Sequence, residues 1–191
     1  MGSTIGSFLP QEYKHKFFGS MSLEQYEQRH NIVLNVNKKR HAYKNNISID
    51  HIHVDELMQL GIIKKEEMHE YECIAIIREP IDRFISICNY EFKERNRSLE
   101  YSINNLRENN KQINCVRTKN PWKIKLVRME DAQAIIDFFK KYDVHIDLDK
   151  KVNVSEKRFT IDDFTEEELE KIRNFYKDDI ELYESITPSN V

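Results

Sequence analysis

The stretch Cys73-Ile-Ala-Ile-Ile-Arg-Glu-Pro-Ile-Asp-Arg-Phe-Ile-Ser86 constrains this chain more than any other. Five apolar residues lead to an arginine, and a proline follows two residues later. Such a run reads as a strand buried on both faces, as in a parallel sheet, although a buried helix segment shows the same pattern. Pro80 argues against a helix continuing through this point and suits the first turn of a new one. From Ile81 the apolar residues Phe84, Ile85, Cys88 and Phe92 repeat at helical spacing, and Asp82 complements the positive end of the helix. The pattern therefore predicts strand, turn and helix. Arg78 falls at the carboxyl end of the strand, where open α/β sheets bind ligands. Its guanidinium is a fixed fork of donors that matches phosphate better than an ammonium does. Ser86, two turns into the helix, carries a small hydroxyl that fits close to an oxyanion. The competing reading is a surface network of Arg78 with Glu79 or Arg83 with Asp82, beside a half-buried core serine.

At 191 residues the chain is expected to form a single domain, 1–191, with a frayed tail over 186–191. It is 39% hydrophobic and 33% charged, which supports a core and excludes wholesale disorder. A net charge of −3 excludes a general nucleic-acid binder, so any polyanion site must come from a local basic patch. No apolar run is long enough to span a bilayer, and no leader pattern is present. Cys73, Cys88 and Cys115 lack metal-ligand spacing, and two of them fall in expected core. Free thiols point to the cytoplasm or another reducing compartment.

The rest of the chain supplies further strands and helices. Ser22-Leu-Glu-Gln25 has capping-box spacing and predicts a helix over 23–29. Ile32–Val36 reads as a strand, and 37–46 as a polar, basic, solvated loop. His51 and His53 precede a short acidic helix, 55–60, stopped by Gly61. A helical or irregular excursion is expected around Leu99 to Leu106. Ile124–Val127 is another short strand. Glu130-Asp131 opens a helix carrying Ile135, Ile136 and Phe139. Thr165-Glu-Glu-Glu168 is a capping box, and Leu169, Ile172, Tyr176, Ile180 and Tyr183 form one helical stripe after it.

Several chemistries are disfavoured by their missing signatures. There is no Gly-x-x-x-x-Gly-Lys-Ser/Thr loop, no Gly-x-Ser-x-Gly elbow, and no Gly-x-Gly-x-x-Gly fingerprint. His51 and His53 would share a face on a strand, but no third ligand is near in sequence, so no metal site is expected. A neutral histidine is the best general base in the chain. His51 or His53 could serve; the plain alternative is a polar residue on a strand rim.

The stretch Ile77 to Ser86 resembles the 3′-phosphate-binding motif of carbohydrate sulfotransferases that use 3′-phosphoadenosine 5′-phosphosulfate. The similarity is nearest to the uronyl 2-O-sulfotransferases of heparan and dermatan sulfate. Their His-Gly-His-Val segment resembles His51-Ile-His-Val54 here. Leu126-Val-Arg-Met-Glu130 is similar to a family strand ending in arginine-x-glutamate. Asn153-Val-Ser155, the pair Lys157-Arg158, and the last helix with Tyr176, Asp178-Asp179 and Tyr183 resemble the family's cofactor-covering loop and closing helix. The likeness runs from about residue 47 onward. It implies an α/β, P-loop-like three-layer sandwich with a central parallel sheet. That sheet would lack its first strand or have Ile32–Val36 in its place.

By the same resemblance, Arg78 and Ser86 would hold the 3′-phosphate and Lys157 or Arg158 would close over it. His53 would be the catalytic base, with His51 beside it. The co-substrate would be 3′-phosphoadenosine 5′-phosphosulfate, used without a metal, and the acceptor a carbohydrate hydroxyl, including those of anionic glycans. Gly2, Ser3 and Thr4 match the end of the family's 5′-phosphosulfate loop, whose lysine would fall immediately before Met1. Three expectations follow: the natural chain starts upstream, Met1-Gly2-Ser3 is a foreign remnant that imitates the motif, or the loop is lacking. The lysine matters because negative charge develops on the bridging oxygen during sulfuryl transfer, where a cation stabilises the transition state. The rival classes are a non-catalytic sulfotransferase-fold protein that binds nucleotide or glycan, and a phosphoryl-transfer protein with a degenerate phosphate loop.

Overall fold

A computed structural model describes residue 28 and residues 58–60, 72–117, 124–147 and 157–188. The candidate residues Gly2, Ser3, Thr4, His51 and His53, and the strand read at Ile32–Val36, lie outside them. The described part is mixed α/β.

Cys73–Ile77 forms strand β1 and Ile124–Arg128 forms β2, and the two pair in parallel. Beyond the pair, the Met129 N–H donates to the Ile77 carbonyl at 2.8 Å. Full burial is reached only at Ile77 in β1, while Cys73 to Ile76 are half-buried on both faces. Among the described residues each strand has one strand neighbour.

Helix α1 spans Pro80–Arg95. Pro80 takes the first helical position, and the Glu79 side chain caps the helix by accepting from the Asp82 N–H at 2.7 Å. The helix ends at Asn96, whose φ of 51° lies in the left-handed region that asparagine tolerates. Short helices α2, Leu99–Asn104, and α3, Ile113–Val116, follow. Helix α4 is Ala132–Lys140, with the Asp131 carboxylate accepting from the Ala134 N–H at 3.1 Å. Ala134, Ile135 and Phe138 form its buried stripe.

The Thr165 capping box is present, with the Thr165 hydroxyl on the Glu168 N–H and the Glu168 carboxylate on the Thr165 N–H. It opens α5, Glu166–Phe175. The single stripe expected from Leu169 to Tyr183 is interrupted: the chain turns at Tyr176, and α6 runs Lys177–Ser185. Tyr176 has φ −93° and ψ 17°, outside helical values, and its ring is 1% exposed. Packing of that ring thus accompanies a break that helical spacing alone does not reveal. Ile186, at the head of the segment read as a tail, is buried.

The chain divides into two compact units. The first comprises 1–73, 118–124 and 139–150; within it Leu60, Val144 and Ile146 are buried, and Lys141 pairs with Glu72 at 3.2 Å. The second comprises 74–117, 125–138 and 151–191. Its core joins Ile81, Phe84 and Cys88 of α1 to Ile103, Phe164, Leu169, Ile172 and Tyr176. Phe84 sits at the centre, with its ring centroid 5.9 Å from that of Tyr176 and 6.2 Å from that of Phe164. Burial pushes the Cys88 thiol up to about 12, so it is a protonated core group and no nucleophile.

Candidate functional site

The second unit carries Arg78, Ser86, Lys157 and Arg158. Arg78 occupies the two-residue connection between β1 and α1, at the carboxyl end of the sheet. Its main chain is held by one side chain: the Gln112 Oε1 accepts from the Arg78 N–H at 3.0 Å, and the Gln112 Nε2 donates to the Arg78 carbonyl at 2.8 Å. Gln112 is itself buried, and its own N–H donates to the Asp179 Oδ2 at 2.7 Å. The other carboxylate oxygen, Oδ1, accepts from the Ile113 N–H at 2.8 Å. Asp179 is 0% exposed. Two charge-assisted bonds from main-chain donors offset the cost of burying its charge.

The Arg78 side chain is different. Its Nε is buried and has no hydrogen-bond partner, and its guanidinium makes no ion pair among the described residues. Burial of Nε means that the side chain lies against the protein instead of projecting into water. The surface networks weighed from the sequence are not formed. Glu79 caps α1, and the Arg83 Nη1 donates to the Asn110 carbonyl. Burial pushes the Tyr176 phenol up to about 12, with Arg83 and Asp179 also acting on it, and its hydroxyl has no partner among the described residues.

Ser86 is half-buried, and its hydroxyl has no partner among the described residues. It stands three residues after Arg83 and so shares a face of α1 with that cation. It lies six residues past Pro80, about 9 Å along the axis at 1.5 Å per residue. One anion can therefore meet both Arg78 and Ser86 only if the arginine side chain runs along the helix.

Lys157 and Arg158 are exposed, on a loop whose main chain Asn89 of α1 holds and whose Phe159 ring packs on Phe92 at 5.4 Å between centroids. The Asn89 Oδ1 accepts from the Arg158 and Phe159 N–H groups at 2.7 and 2.8 Å, and its Nδ2 donates to the Phe159 and Ile85 carbonyls at 2.9 and 3.0 Å. The Arg158 guanidinium lies 5.8 Å from the centroid of the Phe92 ring. Phe92 is six residues beyond Ser86, so the fold brings this loop to the motif helix without bringing Arg158 against Ser86. Asn89 is buried, and its loss strands main-chain donors and an acceptor. Asn89→Ala should lower the unfolding free energy by about 2–4 kcal/mol in urea titration. Unchanged stability would show that the loop is not held this way.

At the end of β2 a cleft of about 370 Å3 is lined by Arg128, Glu130, Asp131, Gln133, Tyr183 and Pro188. Arg128 stacks on Tyr183 with 4.4 Å to the ring centroid, and its Nε donates to the Tyr183 carbonyl at 3.2 Å. The Tyr183 hydroxyl donates to the Glu130 Oε2 at 3.2 Å. Burial and the Glu130 carboxylate raise the pKa of that phenol above its ordinary value. The arginine-x-glutamate pair noted in the sequence is thus tied to the last helix.

No family model, no curated protein and no solved structure matches the chain. Among the described residues no helix is long and apolar enough to cross a membrane.

Proposed function

We propose that the protein is a sulfotransferase that moves a sulfuryl group from 3′-phosphoadenosine 5′-phosphosulfate to a carbohydrate hydroxyl, on a P-loop-like three-layer fold with a central parallel sheet. One observation carries the reading. An arginine at the carboxyl end of a parallel strand has its main chain fully engaged while its buried side-chain Nε has no partner among the described residues. A buried donor without an acceptor costs free energy, and an anion supplies the acceptor. The Ser86 hydroxyl, also without a partner among the described residues, fits the same ligand. The resemblance of Ile77–Ser86 to a 3′-phosphate motif names that ligand.

In this reading Arg78 and Ser86 hold the 3′-phosphate, and the nearby Arg83 cation adds to the positive field. Lys157 and Arg158 supply charge from the loop on Asn89, and Gly2, Ser3 and Thr4 hold the 5′ side. When bound, the co-substrate supplies the sulfuryl group on a phosphate leaving group. His53 takes the proton of the acceptor hydroxyl, and His51 assists in positioning. The acceptor is a glycan, including anionic ones. No metal enters this scheme.

Calorimetric titration with 3′-phosphoadenosine 5′-phosphate beside magnesium adenosine triphosphate tests the reading. Binding of the first and not the second is expected; the reverse preference would move the protein to the phosphoryl-transfer class. Ser86→Ala should weaken nucleotide binding by about 1 kcal/mol, the worth of one hydrogen bond. Binding without transfer of labelled sulfate to any of a panel of uronic-acid and neutral glycans would identify a nucleotide-binding protein of this fold without turnover.

A further inference from the structure

We infer that Gln112 and Asp179 are the positioning residues of Arg78, an inference that rests on the phosphate-binding reading of that arginine. In a parallel strand the N–H and C=O of one residue point to one side, and those of the next residue to the other. The Ile77 carbonyl is turned to β2, where it accepts from Met129. Arg78 is therefore turned away from β2, and its N–H and C=O meet the carboxamide of Gln112 instead. For one residue, Gln112 takes the place of a neighbouring strand. Only one orientation of the amide satisfies both bonds, so the clamp has a single state.

The clamp is anchored in turn. Gln112 and Ile113 lie at the start of α3, and Asp179 of α6 grips both of their N–H groups. The buried Asp179 carboxylate, 67 residues from Gln112, thus fixes the main chain of the residue whose carboxamide holds Arg78. This relay reads main-chain atoms throughout and leaves the guanidinium of Arg78 unengaged among the described residues. What it determines is where the Arg78 Cα sits and in which direction its side chain leaves the sheet. A fork-shaped donor needs that control, because its affinity for an oxyanion depends on aim.

A double-mutant cycle on the full chain tests the relay, with 3′-phosphoadenosine 5′-phosphate as the calorimetric probe. Gln112→Met keeps the volume and removes both bonds; it should weaken binding about tenfold. In an Arg78→Ala background the same substitution should have no further effect, because it acts only through Arg78. Asp179→Asn should behave likewise. Equal losses in both backgrounds would assign Gln112 a purely structural role and overturn the inference while leaving the phosphate reading intact. If Arg78→Ala itself does not change affinity, the phosphate reading falls and the relay with it. Hydrogen exchange of the Arg78 amide checks the clamp without ligand. It should be slow in the wild type and faster in Gln112→Met; equal protection in the two would refute the clamp itself.

Discussion

Replacing Arg78 with alanine should weaken binding of 3′-phosphoadenosine 5′-phosphate by roughly 2–4 kcal/mol, about thirtyfold to nearly a thousandfold. The size follows from losing a charge-assisted, forked contact at a partly desolvated strand end. Stability should move the other way or not at all. Among the described residues the buried Arg78 Nε has no hydrogen-bond partner, so removing the side chain breaks no bond of Nε there and relieves a buried, unsatisfied donor. The main chain keeps both of its bonds to Gln112 in the variant. A melting temperature at or above wild type, together with a large loss of nucleotide affinity, is therefore the expected signature. Arg78→Lys should fall between, because the ammonium keeps the charge and loses the planar fork. Equal nucleotide affinity in wild type and a folded Arg78→Ala would refute the assignment.

Replacing His53 with alanine should abolish most sulfate transfer and leave nucleotide affinity nearly unchanged. A general base acts on the acceptor hydroxyl in the transition state and contributes about a hundredfold to ten-thousandfold in rate. His51→Ala should be milder, acting through position. The measurement is transfer of labelled sulfate, run without added metal and again with a chelator, with calorimetric titration alongside. Persistent turnover in His53→Ala would remove that residue from the chemistry. A parallel loss of nucleotide affinity would make it a binding residue. The contrast with Arg78 is the useful part: one variant should lose affinity, and the other should lose rate.

The regular elements around the site were legible because each has a local cause. An apolar run marks β1, Pro80 and Asp82 mark the start of α1, and Thr165 with Glu168 marks α5. These signals lie within a few residues of what they specify. The groups that organise the site are different. Gln112 reaches Arg78 across 34 positions, Asp179 reaches Gln112 across 67, and Asn89 reaches Phe159 across 70. Each is a polar residue with no periodicity to mark it, and its partners are main-chain atoms that any residue possesses. Asp179 fell within the stretch that resembled a family helix, but nothing in its neighbours said that it is buried. The break at Tyr176 escaped for a related reason. Leu169, Ile172, Tyr176, Ile180 and Tyr183 keep helical spacing, so a turn at one buried ring leaves no gap in the pattern.

Because Asn89 grips the loop by its main chain, it places almost no demand on which residues the loop carries. Arg158 and Phe159 contribute N–H and C=O groups to that grip, and nearly any residue except proline would contribute the same. The exposed side chains of Lys157 and Arg158 are thus released from holding the loop in place and can vary with the ligand, while Asn89 and Phe159, whose ring packs edge-on against Phe92, cannot. Among descendants of a common ancestor this predicts an uneven record: Asn89 and an apolar residue at Phe159 kept, the side chains at Lys157 and Arg158 replaced freely. Libraries randomised at Lys157 and Arg158 should accordingly yield folded proteins of altered ligand preference, whereas randomising Asn89 should yield mostly unfolded ones.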